Sequence, residues 1–111
     1  MSAFNIVRGQ TVCPSCSSTV EVVAQFKFGS VWQHEYRIGD QLQWGRNDRG
    51  KRGIHHVVVD AVTESDCPLC GISKEWDLYL HIEHDLLVRL ELANGKYDFV
   101  QARENFIILE P

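Results

Sequence analysis

Apolar and polar positions alternate with a period of two along most of the chain, which is the pattern of strands with one buried face. Val20, Val22 (with Val23 beside it), Ala24, Phe26 and Phe28 make the first clear run. Gly29-Ser30 is expected to turn it, with Val31 to Ile38 running back. Gly39-Asp40 and Gly45 punctuate a piece around Leu42 and Trp44, and Ile54 to Val62 is a β-branched strand. Further on, Trp76, Leu78, Leu80 and Ile82 fall on one side, and Asp77, Tyr79, His81 and Glu83 on the other. Glu83-His84-Asp85 reads as a reversal, leading to an apolar face of Leu86, Val88, Leu90 and Leu92 with Arg89 and Glu91 opposite. Asn94-Gly95 is a type I′ hairpin signal, from which Lys96 to Val100 is expected to pair back. Residues 101–105 can make one helical turn at most, Phe106 to Leu109 is a last strand, and Phe4 to Val7 can add an edge strand. No long segment repeats every 3.6 residues. The expected class is all-β: an antiparallel sheet domain of about seven or eight strands, with residues 1–111 as one β-rich domain.

All four cysteines lie in two Cys-Pro-x-Cys pairs, Cys13-Pro14-Ser15-Cys16 and Cys67-Pro68-Leu69-Cys70. A tetrahedral zinc site needs sulfurs roughly 3.8 Å apart, given a Zn–S bond of about 2.3 Å. Two cysteines three positions apart on a tight turn can meet that edge. Proline fixes one φ in the turn, and glycine after the second cysteine lets the backbone curl and aim N–H groups at sulfur. Gly71 fills that place in the second pair and Ser17 in the first. The expectation is a structural zinc ion held by Cys13, Cys16, Cys67 and Cys70, with iron in the same cage as the less favoured metal. Disulfide or redox use of the pairs is the competing reading, although no βαβ pattern of the thioredoxin kind accompanies them.

On these two turns the chain resembles the zinc-ribbon and rubredoxin-like group, whose knuckles read Cys-Pro-x-Cys-Gly. The resemblance covers the knuckles at 13–16 and 67–71 and implies the four cysteines as ligands on a β-rich scaffold. It implies no particular reaction. The separation departs from compact ribbons: 50 residues lie between Cys16 and Cys67, so the insert must carry folded strands of its own.

The formal charge of −4 makes the chain acidic, and a four-thiolate zinc centre would bring it to about −6. Such a balance repels phosphate overall. A local exception is the glycine-rich stretch 45–53, where Arg46, Arg49, Lys51 and Arg52 cluster as a solvated loop. With Trp44 to stack on a base, it is the candidate contact for nucleic acid or an acidic partner. There is no secretory h-region and no apolar run of membrane-span length, so a cytoplasmic location is expected.

A catalytic set is not legible. On a continuous strand His81 and His84 face opposite sides, so His81-Ile82-Glu83-His84 reads as a solvated strand end. His55-His56 resembles the histidine pair of His-Asn-His nucleases, but no metal-binding ββα unit accompanies it. Zinc deaminases place His-x-Glu before their cysteines, opposite to the order here. The aromatics Trp32, Tyr36, Trp44, Trp76, Tyr79, Tyr97 and Phe99 read mostly as sheet packing, with some available to a protein partner. The leading expectation is therefore a zinc-stabilised protein-binding module, of adaptor or inhibitor/immunity-like type. A nucleic-acid-binding ribbon using loop 46–52 and an iron-binding electron carrier of rubredoxin-like type are the alternatives.

Overall fold

The computed structural model describes residues 4–45, 47–64, 66–72 and 76–111. Nine strands occur among them: β1 Asn5–Val12, β2 Thr19–Phe26, β3 Gly29–Ser30, β4 Glu35–Arg37, β5 Asp48–Arg49, β6 His56–Thr63, β7 Asp77–Glu83, β8 Leu86–Leu92 and β9 Phe106–Glu110. One short helix, α1 Phe99–Ala102, precedes the last strand. Seven strands form one sheet in the order β4-β1-β2-β6-β7-β8, with β9 also on β6, and β3 and β5 form a separate pair. All pairings are antiparallel except β1 with β4. The all-β, mostly antiparallel expectation holds.

Period-two patterning explains the core. Val20, Val22, Ala24 and Phe26 from β2, Val57, Val59 and Ala61 from β6, and Leu78, Leu80 and Ile82 from β7 turn to one interior with Val7, Tyr36, Leu87 and Leu90. The sheet curls until its ends meet. Gly39 N–H donates to the Leu87 carbonyl at 2.7 Å, Leu87 N–H to Asp40 at 3.0 Å, and Leu42 N–H to Asp85 at 2.7 Å. Residues 39–42 thus stitch the β4 end of the sheet to the start of β8.

Several expectations change. Val31 to Ile38 does not run back along β2: the chain crosses to the far side of β1, where β4 pairs in parallel. Gly29-Ser30 is not a hairpin turn but a strand on β5. Asn5 explains the route. Its fully buried amide donates to the carbonyls of Phe28 and Ser30 at 3.1 and 3.0 Å, and its Oδ1 accepts from Trp32 and His34 N–H at 3.3 and 3.1 Å. The first strand runs through Val12 and is interior to the sheet rather than an edge.

Lys96 to Val100 does not pair back either. Asn94 Oδ1 caps Lys96 N–H at 3.0 Å, and Asp98 accepts from Gln101 N–H at 2.9 Å to start α1. The region then covers the second face of β7, with the Tyr97 ring 4.9 Å and the Phe99 ring 6.0 Å from that of Tyr79. Tyr79 and His81, expected on an outward face, are each only 2% exposed. The register of β7 on β8 shifts between His81 and Ile82, so Leu87 rather than Leu86 or Val88 enters the core. His84 and Asp85, both at positive φ, make the reversal between these strands as expected.

Candidate metal centre

Each Cys-Pro-x-Cys turn closes an antiparallel hairpin. The first joins β1 to β2, whose last pair is Val12 with Thr19, and the second joins β6 to β7, which pair at Val62 with Asp77. The local bonding is the same in both. Cys13 N–H donates to Ser18 and Ser17 N–H to Cys13, each at 3.0 Å; Cys67 N–H donates to Ile72 and Gly71 N–H to Cys67, each again at 3.0 Å. Ser17 and Gly71 occupy the left-handed position, with φ of 59° and 75°.

Hairpin β1-β2 meets hairpin β6-β7 through the β2–β6 pairing, which brings the two turns together. The Sγ atoms of Cys13, Cys16, Cys67 and Cys70 all lie within 4.8 Å of one another, and those of Cys13 and Cys70 are 3.6 Å apart. That spacing brackets the roughly 3.8 Å edge of a four-thiolate zinc tetrahedron. Sequence reading placed these four residues as a set, and the fold collects them into one cluster able to hold a metal ion. Cys13 and Cys67 are buried, Cys16 is half-buried and Cys70 is exposed, so the cluster has an inner and an outer side.

Backbone donors prepare the sulfurs for ionisation. Ser15 and Cys16 N–H point at Cys13 Sγ from 3.4 and 3.5 Å. The N–H groups of Cys70 and Leu69 hold the Cys67 thiol down to about 6. The Ser18 N–H does the same for Cys16, lowering its thiol. Cys70, although exposed as a residue, also receives an N–H, from Ile72, but local desolvation and the three neighbouring sulfurs outweigh it and push its thiol up to about 11. The cluster gives up its first protons readily and its last reluctantly, and a cation of charge two would remove that reluctance. The donors Ser18 and Ile72 were not found by sequence reading, because a backbone N–H carries no residue signature.

The basic stretch behaves differently from an open loop. Arg49 lies on β5, and Lys51 and Arg52 are exposed beyond it, while Arg46 falls outside the described residues. Trp44 is half-buried, its ring 5.6 Å from Phe28 and edge-on to it. Gly50 lies against the Phe28 ring, where a Cβ would stand 2.1 Å from it. The stretch is thereby anchored to the core.

Four of the five histidines lie in two pairs. The rings of His55 and His84 lie 4.5 Å apart at the surface. His81 is not a solvated strand end: its Nδ1 is 3.0 Å from His56 Nε2 and its Nε2 is 3.2 Å from Glu91 Oε1. Sequence reading separated His81 from His84 correctly and missed His56, which the β6–β7 register brings to it.

Comparison with protein-family models, curated proteins and solved structures returns no match. No helix among the described residues is long and apolar enough to cross a membrane.

Proposed function

We propose that the chain is a zinc-stapled β module, with one zinc ion held by Cys13, Cys16, Cys67 and Cys70, and that it acts by binding another protein. The observation that carries the first half is the gathering of four sulfurs at the joined tips of two hairpins. Four thiolates fill a tetrahedral shell and leave no position for an activated water, so the metal's role is to hold the hairpins together. Iron fits the same donor set, and elemental analysis of protein purified under reducing conditions separates the two. One zinc per chain supports the reading; one iron, with thiolate-to-iron absorption, replaces it with electron transfer.

Surface features support the second half. Trp32 is 54% exposed, although Trp is a residue that folding usually buries. The residues that follow it in the chain, Gln33, His34 and Glu35, line an open cleft with Phe4, Ile6 and Glu64. A second cleft of about 510 Å³ shares Phe4 and carries Asp60 and Asp77 against one cation, Lys27. An exposed aromatic next to carboxylate-bearing clefts suits a basic protein partner, in keeping with the net charge of −4. Affinity capture with the parent and with Trp32→Ala tests this. A partner held by the parent and lost by the variant supports the reading, and no specific partner from either overturns it.

A further inference from the structure

Among the described residues, the two register breaks in the large sheet fall at histidines. β6 shifts on β9 between His56 and Val57, and β7 shifts on β8 between His81 and Ile82. Such irregularities re-aim side chains. Here they accompany a chain of three polar groups on three adjacent strands: Glu91 on β8, His81 on β7 and His56 on β6. His81 is 2% exposed and the Glu91 side chain 42%, so the chain runs from water through the sheet's second face.

A nitrogen pair 3.0 Å apart can share a proton or a metal ion, and the ring positions decide between them. Head-to-head hydrogen-bonded imidazoles place their centroids about 5.3 Å apart. Two imidazoles on one metal at about 2.05 Å, with the same nitrogen separation, bring them to about 4.7 Å. The centroid distance is 5.2 Å, which favours the shared proton. The carboxylate fixes the arrangement: Glu91 accepts from His81 Nε2–H, which leaves His81 Nδ1 as an acceptor for His56 Nε2–H.

We propose that Glu91, His81 and His56 form a proton-gated latch across β8, β7 and β6, which holds one added proton and opens on the second. The first proton enters at His56 Nδ1, and the His56–His81 bond survives as a charge-assisted one. The positive charge is then shared along the chain toward Glu91. A second proton makes both rings cations with N–H facing N–H, and the bond is lost. The surrounding charges sharpen the gate. Arg89 on β8 stands opposite His81, and Asp60 on β6, Tyr79 and Glu83 on β7 and Tyr97 over Tyr79 complete the face. Glu110 on β9 is the cross-strand neighbour of His56. Burial and Arg89 oppose protonation of His81, and Glu91 favours it.

The test is an NMR titration of ¹⁵N-labelled, metal-loaded protein from about pH 8 to about pH 5, the window in which histidine titrates. Expected at the alkaline end is His81 protonated at Nε2 alone, with a scalar coupling across the bond from His56 Nε2 to His81 Nδ1. The coupling persists through a first step and disappears in a second, more acidic one. Glu91→Gln lowers the first midpoint by about half a unit to one unit. His56→Phe leaves His81 with a single step. His81 carrying a proton on Nδ1 at the alkaline end, absence of the coupling, or a His81 titration unchanged by His56→Phe overturns the proposal. Should His56→Phe fail to fold, the coupling in the parent protein decides alone.

Discussion

Ser17 stands in the first metal turn where Gly71 stands in the second, and each donates its N–H to the carbonyl of the cysteine that opens its turn, at 3.0 Å. Both are left-handed, with φ of 59° and 75°. The conformation costs a non-glycine residue about 1–2 kcal/mol. Nothing lies within 4 Å of a Cβ built on Gly71, so its replacement is a test of backbone strain alone. Gly71→Ala is expected to lower stability by about 1–2 kcal/mol, and Ser17→Gly to raise it by about 0.5 kcal/mol after glycine's extra unfolded-state entropy. Thermal melts of metal-loaded protein check both signs.

Loss of a buried sulfur is expected to cost more than loss of an exposed one. Cys67 is 3% exposed and Cys70 faces solvent. On the zinc reading proposed above, Cys67→Ser is expected to lose stoichiometric zinc and to melt well below the parent, since metal binding and folding are coupled. Cys70→Ser also leaves three sulfurs but opens no gap in the interior, so it should weaken metal binding while melting closer to the parent. Melting each variant beside the parent, with and without a strong chelator, separates the contributions: the gap should close in chelator. A gap that persists there would show that the cysteines stabilise by packing rather than by metal.

Asn5 makes four hydrogen bonds to the segment from Phe28 to His34. Asn5→Ala leaves buried donors and acceptors without their partner, at a cost of about 2–4 kcal/mol. Denaturant unfolding gives the number. Hydrogen exchange in the variant should rise first at Trp32 and His34, whose N–H groups Asn5 caps.

Asp60 supplies a pH prediction. Burial first, and Asp77 second, raise its carboxyl above the ordinary range. An acid whose folded pKa exceeds its unfolded value penalises the fold where it is ionised, and the penalty disappears as pH falls through the folded value. Asp60→Asn is therefore expected to raise stability at neutral pH by less than about 1 kcal/mol for a group half open to water, read as a small rise in melting temperature. The difference from the parent should vanish toward about pH 4 and below. A constant difference across that range would assign the effect to hydrogen bonding instead.

How much was legible varies with the range of the interaction. The strands β2, β6, β7 and β9 and the turn at His84-Asp85 follow from local alternation and were readable. So were the four cysteines, because paired spacing is a local signal for a shared ligand. What could not be read depended on distant partners. Asn5 reroutes residues 28–34 through four bonds that no window contains. Asn94-Gly95 does not form the expected type I′ turn, since Gly95 is at positive φ and Asn94 is not; Asp98 then starts a helix, and the chain covers Tyr79 instead of pairing. His56 and His81 lie 25 residues apart and meet only through the β6–β7 register.

The β2–β6 contact has a consequence for ligand affinity. It consists of three residue pairs, Ala24 with Thr63, Gln25 with Val62 and Phe26 with Ala61. Each hairpin alone offers an ion only two sulfurs. The second two arrive at an effective concentration set by how firmly that short seam holds, as for any bivalent ligand. For the ion proposed above, the dissociation constant is thus a gauge of a protein–protein-like joint inside one chain. A change at Ala61, with no sulfur touched, would be read out as a weaker hold on the ion.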